Sequence, residues 1–180
     1  MQLQIIKFLI KTLIIFFIVE IFYFIFMLSQ IIIRKAIVDD AEAIIQFNKS
    51  MALETESLIL DDDIISKGVR HILSNPNSAF YIVAELNNKI IASLMITTEW
   101  SDWRNGFFWW IQSVYVVSEF RRKGIYKKLY NFVKELSESK EDVIGFRLYV
   151  ELNNIIAINT YKSLGMNETH YRLYEELIAK

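Results

Sequence analysis

Cysteine is absent from this chain, histidine occurs twice, proline once and glycine five times in 180 residues. Without cysteine there is no disulfide framework, no thiolate nucleophile and no thiolate-based metal site. His71 and His170 stand far apart in sequence, so nothing in the spacing calls for a metal centre. A single proline, Pro76, and so few glycines leave no flexible linker between domains. The formal net charge is −1, so no global basic field is available to recruit nucleic acid. No internal repeat is visible, and the length is that of one domain able to bury a real core.

What the chain has in excess is apolar residues, concentrated first at its N-terminus. Residues 12–29 hold thirteen Leu, Ile, Phe or Val, interrupted by one acid, Glu20. On an insertion scale that run is worth roughly −4 to −8 kcal/mol, which one central carboxylate at about +3 kcal/mol does not cancel. It is long enough for a short membrane span and lacks a small-residue cleavage site. Lys7 and Lys11 precede it and Arg34 and Lys35 come after it, so the positive-inside rule barely decides its orientation. Two readings stand: a membrane anchor, or upstream reading frame with the functional start at Met27. The expected division is therefore 1–30 as a hydrophobic segment and 31–180 as the globular domain.

Beyond that run the periodicities alternate between strand and helix. Ile31 to Val38 reads as a strand, and Asp39 or Asp40 can cap the helix whose apolar face includes Ile44, Ile45 and Phe47. Asp61-Asp62-Asp63 opens a second helix as cap and dipole complement, with acceptor recognition as the lesser reading. Asn75-Pro76-Asn77 ends it. Phe80–Glu85 and Ile90–Thr97 are strands joined by a hairpin turn at Asn87-Asn88-Lys89. Glu99 to Gly106 reads as a polar and aromatic loop with Trp100 and Trp103, before a strand from Phe107 to Val117. Val143–Val150 is a further strand, Asn154–Leu164 a helix and His170–Leu177 a closing strand. The fold class is α/β: a mixed, mostly antiparallel sheet flanked by helices, in the order βααβββαβαβ, behind an N-terminal hydrophobic helix.

The stretch with chemical content begins where the strand from Phe107 ends. Arg121-Arg122-Lys123-Gly124 is a basic turn, and from Ile125 the apolar residues Ile125, Leu129, Phe132, Val133 and Leu136 recur at helical spacing. A strand feeding such a turn and then a helix leaves backbone N–H groups and the positive helix end facing a phosphate or pyrophosphate. Gly124 permits a positive φ or a close approach.

This turn, Arg121 to Tyr126, resembles the coenzyme A pyrophosphate loop of the GNAT acetyltransferases, Gln/Arg-x-x-Gly-x-Gly/Ala. Asn154-Ile155-Ile156-Ala157, then Tyr161 and Gly165-Met166, is similar to the family's second signature. Ile32 to Ala36 with Asp39 or Asp40 resembles its opening strand and first helix. The resemblance covers Ile31 to Lys180. Tyr126 departs from it, standing where the family carries Gly or Ala.

The resemblance implies acetyl-CoA as co-substrate and direct transfer to a primary amine, on a small molecule or a protein, in a ternary complex. Backbone groups of Val114, Tyr115 and Val116 would pair with the pantetheine, and the amides of Arg121, Arg122, Lys123, Gly124, Ile125 and Tyr126 would hold the pyrophosphate. Tyr161 would donate a proton to the leaving thiolate, or simply pack as a helix residue. Asn154 would bond the pantetheine or cap its helix. Glu54 is the candidate catalytic base, with Glu56 beside it; both also read as solvated surface acids. No metal is expected. The rivals are a non-catalytic acyl-CoA sensor, tethered by residues 12–29, and an RNA or anionic-lipid contact at the basic turn. The catalytic domain would be cytoplasmic, or held at the membrane by the N-terminal run.

Overall fold

The computed structural model describes residues 2–77 and 79–178. It forms two compact units, 1–147 and 148–180. The first contains α1 (Gln2–Ser29), β1 (Ile32–Lys35), α2 (Ala41–Glu56), α3 (Asp62–Ser74), β2 (Ala79–Leu86), β3 (Lys89–Ser101), β4 (Gly106–Val116), α4 (Ile125–Glu138) and β5 (Val143–Arg147). The second holds α5 (Ile155–Ser163).

The five strands lie in chain order, antiparallel except for the parallel pair β4–β5. That exception comes from α4: a parallel pair needs a crossover, and the helix supplies it. Asn87 and Asn88, both at positive φ (51° and 60°), form the tight turn between β2 and β3. Asparagine tolerates this geometry, and two left-handed residues in succession match the twist of the flanking strands.

Alternation along the strands sorts the core onto two faces. Tyr81 and Val83 are buried on one face with Ala41, Ile44 and Ile45 of α2 and Val69 of α3. The alternate residues Ile82, Leu94, Ile96 and Ile111 are buried on the other, as are Ile125, Leu129 and Val133 of α4. Each such Ile, Leu or Val side chain stabilises the fold by about 1.5–3 kcal/mol. Asp61 caps α3, its Oδ1 accepting from the Ile64 N–H at 2.9 Å.

A polar clamp fixes the start of the domain. Arg34 on β1 gives two N–H bonds to Asp40 (2.7 and 2.9 Å) and its Nε–H to Glu85 (2.8 Å). Asp40 also accepts from the Ile37 N–H at 2.8 Å. Burial alone would raise the Asp40 carboxyl, but the bonds from Arg34 and Ile37 outweigh it and hold it below the usual carboxylate range.

The structure departs from the sequence reading in several places: β1 ends at Lys35 and gives way to a 3-10 turn at Val38–Asp40, and β5 ends at Arg147 short of Val150. β3 runs on to Ser101, so the expected loop from Glu99 shrinks to residues 102–105 and Glu99 sits in a strand. Residues 170–177 carry no strand, and Tyr171, Leu173, Tyr174 and Leu177 are exposed. Apolar residues interleaved with polar ones suit a half-buried strand, but a strand exists only where a neighbouring edge takes its hydrogen bonds.

Candidate functional site

The site grows from an irregularity in β4. Pairing with β3 shifts between Ser93↔Tyr115 and Met95↔Gln112, so Ser113 and Val114 together oppose Leu94. Ser113 takes φ 49° at this bulge, a conformation costing a non-glycine residue on the order of 1–3 kcal/mol. A bulge bends its strand and re-aims the residues beyond it. On its other edge β4 pairs with β5 only as far as Trp110↔Arg147. The segment Ile111–Val116 therefore presents a strand edge that β5 does not cover. Val114, Tyr115 and Val116, the expected pantetheine partners, are half-buried within it.

After β4 the chain makes a 3-10 turn (Ser118–Phe120) and enters the basic turn. Arg122 (φ 60°) and Gly124 (φ 76°) are both left-handed. Such residues next to helix-forming ones direct successive amides into one concavity, an anion-binding arrangement. A Cβ built on Gly124 would meet nothing within 4 Å, so the space in front of it is open. Gly124 is the N-cap of α4, its carbonyl accepting from the Lys128 N–H at 3.1 Å. The first-turn amides of α4 have no partners inside the helix.

The charges here have the wrong sign for a bare helix. The first turn of α4 contains no acid; instead Arg122, Lys123, Lys127 and Lys128 crowd its positive end. Cations at that end disfavour a helix by about 0.3–1 kcal/mol each, and an anion seated there reverses the balance. Tyr126, the departure from the family pattern, turns its ring onto Tyr130, with centroids 6.2 Å apart.

Arg121 ties the turn to β4 and α2. Its Nε–H bonds the Val116 carbonyl at 2.8 Å, and Nη2 bonds Glu54 at 2.7 Å. The other Glu54 oxygen accepts from the Tyr115 hydroxyl at 3.0 Å. The Arg121 guanidinium lies 5.2 Å from the Tyr115 ring, which stacks on Phe47 of α2 at 5.1 Å. Glu54 is thus brought to the expected cofactor turn, where its two oxygens link the last turn of α2 to Tyr115 of β4 and to Arg121. Glu56 is exposed and makes no ion pair among the described residues.

Asn154 and Tyr161 belong to the second unit. Asn154 caps α5, its Oδ1 accepting from the Ala157 N–H at 3.1 Å. The Tyr161 carbonyl accepts from the Leu164 and Met166 N–H groups, and Gly165 (φ 88°) ends the helix. The Tyr161 ring is half-buried, and burial pushes its phenol above the ordinary value, so it keeps its proton at neutral pH.

Sequence reasoning missed Glu99, Phe108 and Arg147. Glu99 bonds Arg147 at 2.6 Å and accepts from the Trp110 indole N–H. Reading Glu99 as a loop residue hid this; extending the β3 alternation past Thr97 would have set it on one face with Phe108 and Trp110. Among the described residues no group of His, Asp or Glu side chains is placed to hold a metal ion.

The family model described as acetyltransferase (GNAT) family matches residues 41–166. A solved structure of a possible acetyltransferase from Clostridium difficile 630 is 46% identical, covers 84% of this chain and 99% of its own, and superposes with a TM-score of 0.77. A predicted acetyltransferase from Clostridium acetobutylicum, solved with acetyl-CoA, is 20% identical over 81% of this chain and 96% of its own, with a TM-score of 0.67. An aminoglycoside acetyltransferase, meta-AAC0020 from an uncultured soil metagenomic sample, solved with sisomicin, is 20% identical over 83% and 98%, with a TM-score of 0.69. The last two are similar in fold.

Proposed function

The chain belongs to the acetyltransferase (GNAT) family, and from that premise we propose that it moves an acetyl group from acetyl-CoA directly to a primary amine, on a small molecule or a protein, in a ternary complex. The observation that carries this is the turn before α4. Two left-handed residues, open space at Gly124 and a cationic helix start without an acid together make a receptor for a diphosphate.

Acetyl-CoA supplies an activated thioester; the chain's residues bind it, orient it and manage protons. The amides and cations of Arg122 to Tyr126 hold the pyrophosphate. Arg121, committed to Val116 and Glu54, holds the turn in register with β4. The free edge at Val114, Tyr115 and Val116 takes the pantetheine as an added strand would be taken, through main-chain bonds. A strand N–H there stabilises charge developing on the thioester oxygen, a contribution of about 2.7–4 kcal/mol where single donors have been removed. Tyr161, protonated at neutral pH, is the proton donor to the leaving sulfur, and Asn154 adds a side-chain amide near the start of its helix. We assign Glu54 to holding α2 against the turn, since both its oxygens are engaged there.

A thiol-release assay with acetyl-CoA and a panel of amines tests the proposal. Amine-dependent release is the expected result. Binding of acetyl-CoA without release for any amine would favour the sensor reading.

The N-terminal helix fits a membrane anchor. Leu9–Ser29 has a mean hydropathy of 2.4 and exposes Leu13, Phe16, Phe17, Val19 and Phe22 around its circumference. Its 21 residues span about 31 Å at 1.5 Å per residue, close to a bilayer core. Ile31, which comes almost at once after it, is buried. Residues 1–30 then form the anchor and 31–180 the catalytic domain, with no slack between them. Recovery of the natively expressed protein in the membrane fraction is expected; a soluble product starting at Met27 would contradict the anchor.

A further inference from the structure

The proposed transferase needs a way to choose its amine, and a second constellation stands where β4 and β5 part. The last register pair is Trp110↔Arg147, and Phe108↔Gly145 lies two residues before it on the same face. Across β4, Thr97 and Glu99 of β3 pair with Trp110 and Phe108. Paired residues share a face, so these side chains rise from one side of the sheet. Gln112 continues the row, its Nε2 bonding Thr97 Oγ1 at 2.7 Å.

On this face the Arg147 guanidinium is fixed from two directions. Its Cζ lies 3.8 Å from the centroid of the Phe108 ring, and Nη1 bonds Glu99 at 2.6 Å. The second Glu99 oxygen accepts from the Trp110 indole N–H. Phe108 in turn lies against β5 at Gly145, where any Cβ would approach its ring to 2.9 Å. The absence of a side chain at 145 therefore gives the ring its seat and the guanidinium its platform.

A guanidinium carries five N–H donors, and among the described residues this one spends a single donor, on Glu99. Its side chain is 32% exposed. Arg104 brings a second guanidinium to 5.6 Å from the same ring and has no ion pair among the described residues. Two cations, Arg147 and Arg104, thus lie against one ring, with Glu99 bonded to the first. A stacked, oriented guanidinium with donors to spare is the arrangement that binds a planar two-oxygen anion in a fork.

The geometry points to Arg147 as the residue that binds the carboxylate of the acceptor, making the substrate an amine that also carries a carboxylate. This rests on the transferase reading above. Glu99 and Phe108 are positioning residues that hold the fork. Trp110 pairs with Thr97 and the bulge at Ser113 and Val114 opposes Leu94, three residues away on β3, or about 10 Å at some 3.3 Å per residue. Amine and carboxylate should therefore be several bonds apart, as in an ω-amino acid or a short peptide.

The test is a thiol-release panel in which ω-amino acids and dipeptides are each paired with their carboxamide, using the full chain. The expected KM is at least tenfold lower for the acid than for its amide. In Arg147→Gln that ratio falls close to one, while acetyl-CoA affinity by calorimetry is unchanged. Arg147→Lys keeps the charge without the fork and gives an intermediate ratio. Equal KM values for acid and amide in the native protein, or an acid preference that survives Arg147→Gln, would overturn the assignment. The native ratio decides even if a variant fails to fold. Thiol release with equal KM values removes this inference alone; no release with any amine removes the transferase reading as well.

Discussion

Replacing Gly124 by valine separates what the turn needs for folding from what it needs for binding. Gly124 sits at φ 76°, where an L-residue pays about 1–2 kcal/mol and a β-branched one lies at the upper end. No neighbour stands within 4 Å of a Cβ there, so the Cβ itself adds no steric cost in the free protein. The expected destabilisation is then about 1–2 kcal/mol, a fall in Tm of about 2–8 °C for a domain of this size. Binding suffers differently, because the isopropyl group fills the open space in front of the first-turn amides of α4. Losing the diphosphate from that concavity should weaken acetyl-CoA by at least about 100-fold, or about 2.7 kcal/mol. Gly124→Ala carries nearly the same backbone strain with only one added carbon, so it should match the stability loss with a smaller loss of affinity. Calorimetric titration with acetyl-CoA beside a thermal melt reads both quantities. If Gly124→Val melts lower but binds acetyl-CoA as tightly as the native protein, the diphosphate does not lie on this turn and the reasoning is refuted.

Other outcomes rest on the same geometry. Tyr161→Phe should lower kcat by about 100-fold or more with little change in acetyl-CoA affinity; because burial raises this phenol, the native alkaline limb should lie above pH 10 and vanish in the variant, and an unaltered kcat would remove the acid role. Glu54→Gln breaks the ion pair to Arg121 and should raise KM for acetyl-CoA while leaving the acidic limb of the kcat/KM profile in place; loss of that limb would identify Glu54 as the base instead. Asp40→Asn should destabilise the domain by about 3 kcal/mol by leaving Arg34 half-partnered, as read from urea unfolding. Since the folded Asp40 carboxyl is lowered, its contribution is present above the unfolded value near pH 4 and is lost as pH falls through the folded one. The native protein should therefore lose stability below about pH 4 more steeply than Asp40→Asn, and parallel curves would contradict the clamp.

The legible part of this protein was its local chemistry. Asp61 at a cap, Asn87-Asn88 in a tight turn and a glycine after three cations each have one dominant structural use, and the fold adopts it in each case. What stayed hidden depends on register. Ser113 became the bulge through how β3 and β4 align, which no property of serine announces. Glu54 was visible as an acid at a helix end, but its bonds to Tyr115 and Arg121 join residues more than sixty positions away. Glu99 was assigned to a loop because polar and aromatic residues from 99 to 106 look like one; a strand of thirteen residues carries it instead. Residues 170–177 show the opposite failure: a pattern fit for a strand, in a segment that forms none.

The central claim, that main-chain amides before and within the first turn of α4 hold a diphosphate, is tested most directly by amide chemical shifts in an isotopically labelled protein. Titration with coenzyme A should move the resonances of residues 122–126 to saturation, with the Gly124 amide among the largest shifts, and titration with pantetheine should leave them in place while moving those of 114–116. Residues 122–126 unmoved by saturating coenzyme A, with the shifts gathered elsewhere, would contradict the account.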